Sequence, residues 1–319
     1  MNSLVIVSLL PVVLLIAAGY LAGRVGWVRP GSVKDLSNLV FLLLTPALLF
    51  RTMSEVRVEQ LDFRPVAAYF IAVVFIFGGT VLLQGFNRRS AVMALANTFS
   101  NTLMIGVPLV GLMYGPAGLV TLLTLVSVHS LILLTSATLV LELAVAHEQA
   151  QGVVVDGNAP RHIVVTILMA VKNSILHPVP LPIIAGLLYA QTGLGLPPAI
   201  DKPLELLGNA FSPVALVLVG ITLFHTPIGK HLKPAMALAA AKNLLHPLLV
   251  FGLCHLLGVT GLPMKVMVVA SALPIGANVF LFSQRYKVAE GLITASVAVS
   301  TAMALATLTL VLLLVGHLG

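Results

Sequence analysis

The chain has 319 residues, 59% hydrophobic and 8% charged, against roughly a quarter charged in an ordinary soluble domain, and its mean hydropathy is +1.10. These values exclude a soluble enzyme or a soluble binding module and leave a membrane protein. The formal charge of +7 does not indicate nucleic acid, because 17 Lys and Arg scattered among helix ends form no dense basic stripe.

A hydrocarbon core about 30 Å thick takes about 20 apolar residues per helix, so the chain has room for about ten spans. The long continuous apolar runs lack the short alternation of barrel strands, so the spans are helical. Hydropathy places them near 3–23, 35–53, 65–86, 91–113 and 117–143, then 168–191, 203–224, 234–257, 264–284 and 289–316. Met1-Asn2-Ser3-Leu4 lacks the basic region of a signal peptide, and the run to Ala22 reads as a retained first helix. Cys254, the single cysteine, excludes an intrachain disulfide or a cysteine metal cluster; neither metal nor cofactor is expected.

The longest polar stretch, 146–161, contains His147, Glu148, Asp156, Asn158 and Pro160. It reads as a cytoplasmic connector between a first five-helix repeat, 1–145, and a second, 162–319. An offset of 167 pairs residues 11–21 with 178–188, including Pro11 with Pro178 and Gly19 with Gly186, and seven of the eleven positions are identical. The same offset pairs Thr45-Pro46 with Ser212-Pro213, and an offset of 173 pairs Val126-Ser127 with Val299-Ser300. Five crossings end on the opposite side of the membrane, so the second copy is inverted. The charges agree: the odd-numbered connections hold ten Lys and Arg, the even ones five, and Lys172 and Lys242 fall within spans. By the positive-inside rule both termini face outside.

The fourth span carries Asn97-Thr98-Phe99-Ser100-Asn101-Thr102, then Gly106 and Pro108; the ninth carries Pro274, Gly276 and Asn278. Proline removes a backbone donor, so both spans are expected to break at mid-depth, with Pro108 freeing the Met104 carbonyl and Pro274 that of Ala270. Non-helical backbone at this depth implies protein cover or a watery cavity. Half-helix N-termini there favour an anion, and Asn101 and Asn278 add donors. Packed, kinked helices are the alternative. Thr45 and Ser212, each before a proline, either line the same cavity or satisfy a released carbonyl.

Lys242 lies about eight residues into the eighth span, roughly 12 Å along the helix. It is a countercharge for an anionic substrate, or it snorkels to the interface. His129 and His246 sit within spans and are either proton carriers or packing residues. No carboxylate lies at mid-span, which argues against an acidic sodium site or a carboxylate relay. Arg161-His162-Ile163-Val164-Val165-Thr166-Ile167 either lies on the membrane surface or extends the sixth span.

Gly19-Tyr20-Leu21-Ala22-Gly23-Arg24, the run from Leu36 to Phe50, the Asn101 to Pro108 segment and Ala272 to Phe280 together resemble the auxin efflux carrier family of membrane transporters, over nearly the whole chain. The resemblance implies an all-α polytopic fold of ten helices in two inverted five-helix repeats. It also implies crossing broken helices four and nine beside the substrate, and elevator-like alternating access. Carried onto this sequence, Asn101 and Pro108 match the first crossover, Pro274 and Asn278 the second. The short 146–161 connector looks like a bacterial member, which implies a small organic anion such as malonate or malate and residence in the inner membrane. Coupling to H+ or Na+ and a homodimer are compatible with it. The competing readings are a sodium-coupled bile-acid-type symporter, a membrane-embedded enzyme, for which no nucleophile or metal motif occurs, and a channel, for which no ring of charge occurs.

Overall fold

The computed structural model describes residues 2–316 except 58, 60, 152–167, 170, 171 and 173–177. Long apolar runs must satisfy their backbone internally, and the regular structure among the described residues is helical. In chain order the helices are α1 (Asn2–Arg24), α2 (Ser32–Met53), α3 (Arg64–Gln84), α4 (Arg88–Thr98), α5 (Thr102–Ala150), α6 (Pro180–Gln191), α7 (Pro198–His225), α8 (Gly229–Leu256), α9 (Gly261–Ala272), α10 (Asn278–Arg285) and α11 (Glu290–Gly316). Of these, α2, α3, α5, α7, α8 and α11 are long and apolar enough to cross a membrane, and Leu9–Arg24, α6 and α9 are shorter apolar helices. The chain is a polytopic helical membrane protein.

Three helices meet the same local problem. Proline lacks an N–H, and its ring crowds the carbonyl four residues back. Ahead of Pro46, Pro108 and Pro247 the turn is widened, over Val40–Leu44, Thr102–Gly106 and Ala241–Leu245. There the N–H groups of Thr45, Val107 and His246 reach five residues back, to the carbonyls of Val40, Thr102 and Ala241. Widening of this kind admits the proline without ending the helix.

For that reason the fourth span does not break at Pro108. It breaks at residues 99–101, where Phe99 is extended (φ −84°, ψ 105°) and Asn101 leaves helical geometry (φ −76°, ψ 61°). The ninth span breaks beside its proline: Leu273 is extended (φ −63°, ψ 151°) and helix resumes at Asn278. The remainder of the fourth span and the whole of the fifth form α5, divided at Gly115, whose φ of +62° suits a residue without a side chain. The leg 116–150 is about 50 Å long by its rise per residue. It runs on through 146–150, residues that hydropathy assigns to the connector. The rest of that connector and the segment 161–167 lie outside the described residues.

Packing falls into two groups. In one, α1 lies along α7, and α2 packs on α6 and α7; in the other, α3 packs on α4, and α8 on α3, α9 and α11. Glycines set the first group's closest contacts. A Cβ at Gly19 would stand 1.9 Å from the Val217 carbonyl oxygen, and one at Gly186 2.6 Å from that of Phe50. Gly19 and Gly186 are 167 residues apart, and so are Phe50 and Val217. Thus α1 meets α7 at the position where α6 meets α2.

One end of the second group is fastened by ions. Arg88, opening α4, gives its N–H and Nε to Glu148 at 2.8 and 2.6 Å, and its Nη1 to the Tyr286 carbonyl at 3.3 Å. Tyr286 donates its hydroxyl to Glu142 at 2.9 Å, and Arg285 lies 3.7 Å from the same carboxylate. The ends of α4, α5 and α10 are therefore held together, with two of the chain's ten acidic residues engaged there.

Candidate functional site

The two breaks meet. Asn101 donates its N–H to the Pro274 carbonyl at 2.8 Å, and Gly276 donates its N–H to the Phe99 carbonyl at 2.9 Å, so that Ser100 and Ile275 pair antiparallel. Backbone groups that neither helix can satisfy are satisfied by the other break. The approach is close: a Cβ at Gly276 would lie 2.6 Å from Phe99 Cδ1, and one at Gly106 2.7 Å from Leu273 Cδ1. Ile275 is also fastened to α11, its N–H donated to Ser300 Oγ at 3.1 Å.

Four helix ends converge on this crossing, two ending (α4, α9) and two beginning (α5, α10). At the start of α5 the half-buried Asn101 accepts the Met104 N–H on its own Oδ1, at 3.2 Å. Half-buried Asn278 opens α10. Beginning ends carry partial positive charge and favour an anion; finishing ends carry the reverse.

Each finishing end has a side chain from a neighbouring helix against it. Lys242, fully buried in the widened turn of α8, donates Nζ to the carbonyls of Ser271 and Leu273, at 2.6 and 2.8 Å. At the end of α4, the Tyr69 hydroxyl of α3 lies 3.4 Å from the Thr98 carbonyl, 2.9 Å from Ser100 Oγ and 3.1 Å from His129 Nε2. Tyr69 and Lys242 are 173 residues apart, the offset that pairs Ser127 with Ser300.

His246 is buried with its ring centroid 4.9 Å from that of Tyr69, and His129 lies 4.7 Å from Phe99 by the same measure. Both His246 nitrogens, His129 Nδ1 and Asn243 Oδ1 are buried without a hydrogen-bond partner. Asn243 turns its amide to the Ser300 carbonyl, at 2.9 Å. The cluster is rich in donors and weak acceptors. Among the described residues no group of His, Cys, Asp and Glu could hold a metal.

Of the residues singled out by sequence, Asn101, Pro274 and Gly276 form the crossing, Gly106 packs on it, and Lys242 and His129 contact it. His246 lies one ring away. Pro108 is buried in α5, past the widened turn. The Thr45 hydroxyl is donated to the Val40 carbonyl at 2.8 Å, the carbonyl-satisfying arrangement, and Ser212 is half-buried on α7. Sequence reasoning passed over Tyr69, Ser100, Ser271 and Ser300. Ser300 carried a signal in its repeat pairing with Ser127; Tyr69 stood in an apolar run with none.

The family model described as "Membrane transport protein" matches residues 4–312. A protein of Rhizobium meliloti (strain 1021), provisionally named a malonate transporter, is 27% identical over 315 residues, covering 96% of this chain and 94% of that protein.

Proposed function

The chain belongs to the membrane transport protein family, and on that premise we propose that it is a secondary transporter of a small carboxylate, working by alternating access. The observation that carries this reading is the antiparallel meeting of two broken helices around Ser100 and Ile275, which brings two helix N-termini into the membrane interior where an anion finds donors and partial positive charge. Asn101, Gly106, Pro108, Pro274, Gly276 and Asn278 line or shape the place of binding. The name of the Rhizobium meliloti relative makes malonate the first anion to try.

The two packing groups support an elevator. The group of α3, α4 and α8 to α11 contains both breaks and is fastened at one end to α5 by the Arg88–Glu148 and Tyr286–Glu142 contacts; with α5 it moves as a unit against α1, α2, α6 and α7. The offset-167 contacts of Gly19 and Gly186 support two inverted five-helix repeats. The excess of Lys and Arg on odd connections supports an orientation with α1 starting, and α11 ending, on the outer side.

A thermal-shift and counterflow screen of small mono- and dicarboxylates on purified protein tests the proposal. At least one anion raises the unfolding temperature and exchanges across proteoliposomes, and Asn101→Ala and Asn278→Ala each weaken its binding by about tenfold, the loss of one charge-assisted hydrogen bond. The site assignment fails if no anion binds, or if both variants bind like the wild type.

A further inference from the structure

We propose that the basic end of the crossing unit, centred on Lys287, is a gathering site for carboxylate anions, which collects them from the water before they reach the crossing and gives that face of the protein the higher affinity. The inference rests on the transport reading above and adds where the anion is taken up. Two half-helices lead from this end to the crossing. α4 starts here at Arg88 and finishes at the Phe99–Asn101 break, and α10 starts at Asn278 and finishes here at Arg285. By rise per residue the crossing lies about 15 Å away along α4 and about 11 Å away along α10.

Charge is divided unequally between the two ends of the unit. At this end Arg88 and Arg285 are matched with Glu148 and Glu142. Arg89 and Lys287 are exposed and unpaired among the described residues. So are Lys230 and Lys233, which stand beside the start of α11, where a Cβ at Gly291 would lie 2.9 Å from His231 Nε2. Glu290 is the carboxylate left to answer those four cations. At the other end, where α3 and α9 begin, Asp62 and Arg64 pair with each other and Lys265 adds one cation. Lys287 is also held in place. Its φ of +50° is uncommon for a residue with a side chain, and both of its neighbours are pinned. Tyr286 accepts from Arg88 on its carbonyl and donates its hydroxyl to Glu142. Val288 donates its N–H to the Ser283 carbonyl at 3.1 Å and accepts the Ser283 hydroxyl on its own carbonyl. A cation presented on a fixed turn loses little backbone freedom when an anion arrives. At about 13 Å, Coulomb's law in water with Debye screening gives each unit charge about twofold in dicarboxylate affinity at about 10 mM salt, and about 1.2-fold at about 0.15 M.

The test uses the intact protein inserted in one orientation in vesicles of uncharged phosphatidylcholine, and reads the KM for malonate at each face. The wild type is expected to show the lower KM at the basic face, with the difference between faces shrinking as salt rises from about 10 mM to about 0.15 M. The double variant Arg89→Glu/Lys287→Glu changes four units of charge. Its KM at that face is expected to rise about fifteenfold at about 10 mM salt and about twofold at about 0.15 M, with the maximal exchange rate and the unfolding temperature unchanged. Should the reversed variant fail to fold, Arg89→Gln/Lys287→Gln removes two units, and about a fourfold rise at low salt is expected. A KM at low salt that neither variant changes overturns the proposal. So does a loss of affinity confined to vesicles containing anionic phosphatidylglycerol, which would assign these charges to lipid headgroups. Malonate exchange with the same KM at both faces and no salt dependence overturns this inference alone, whereas a wild type that neither binds nor exchanges any carboxylate overturns the transport reading and this inference together.

Discussion

Replacing Gly19 by alanine tests whether α1 and α7 meet backbone to backbone. The added methyl would lie 1.9 Å from the Val217 carbonyl oxygen, 2.7 Å from its carbon and 2.9 Å from its Cα. All three are backbone atoms, so no side-chain rotation relieves the contact. Since Cβ atoms essentially never approach closer than 3.0 Å, the helices must part by at least 3.0 − 1.9 = 1.1 Å. A gap of that size forfeits roughly a quarter to a half of the dispersion attraction of the atoms lining it. Overpacking of this kind costs about 1–3 kcal/mol, and the depth of the clash puts Gly19→Ala at the upper end, a fall in unfolding temperature on the order of 5 °C for a chain this long. Gly186→Ala requires a retreat of 3.0 − 2.6 = 0.4 Å from the Phe50 oxygen and belongs at the lower end, about 1 kcal/mol. Gly78 has nothing within 4 Å of an added Cβ, and Gly78→Ala is neutral or gains about 0.5–1 kcal/mol from reduced backbone freedom. The assay is built into the chain: Cys254 is the single cysteine and is buried, so a thiol-reactive fluorophore reports unfolding during a heating ramp. Gly19→Ala melting with the wild type, or falling less than Gly186→Ala, would refute the close approach.

Four further substitutions separate the crossing from its surroundings. Tyr69→Phe removes the hydroxyl lying between Ser100 and His129 and leaves both buried groups short of a partner, at a cost of about 1–3 kcal/mol; an unchanged melting curve in the same assay would show that the three side chains are not coupled. Glu148→Gln breaks the partly buried bond to Arg88 at the joined ends of α4 and α5, and about 1–3 kcal/mol is lost, whereas Asp62→Asn, at the exposed pair with Arg64, produces no resolvable change; equal effects from the two would contradict the assigned burial. Burial, reinforced by the Glu142 carboxylate beside it, raises the Tyr286 hydroxyl above its ordinary value near 10, so folding favours the protonated form. Its contribution is complete below the unfolded value and is lost as pH rises above about 10 toward the higher folded one. Tyr286→Phe is therefore expected to flatten part of the alkaline fall in unfolding temperature between about pH 10 and 12, and an identical slope in variant and wild type would exclude the hydroxyl as a source.

The apolar helices and the two irregular segments were legible because hydropathy and Pro/Gly placement are local properties. The site's connectivity was not. Ser100 pairs with Ile275 across 175 positions, and no local pattern reports which irregular backbone will satisfy another. Pro108 misled for a physical reason: the widened turn Thr102–Gly106 takes the proline into α5, and the break falls to the backbone of Phe99, Ser100 and Asn101. Lys242 was visible as a costly intramembrane charge, and Pro247 close by accounts for the widened turn that carries it, yet its direction depends on where α9 ends, which nothing near it encodes. Gly19 and Gly186 were recognisable as repeat partners, and only the packing explains why both are glycine.

The two breaks are held by different side chains, and the difference bears on how the crossing works. At α9 a lysine gives separate protons to two carbonyls that only accept, so that finishing end has one arrangement with both bonds made. At α4 the corresponding tyrosine has one proton and three neighbours, the Thr98 carbonyl, Ser100 Oγ and His129 Nε2. It can donate to one of them at a time, while Ser100 and His129 reverse their own roles to suit. One end is thus fixed by a charge and the other is held by a hydrogen-bond chain that has more than one direction. Tyr69 and Lys242 therefore hold the crossing in different ways: the Phe99–Asn101 break rests on hydrogen bonds that can reverse direction, and the Leu273–Asn278 break on one lysine that donates to two carbonyls.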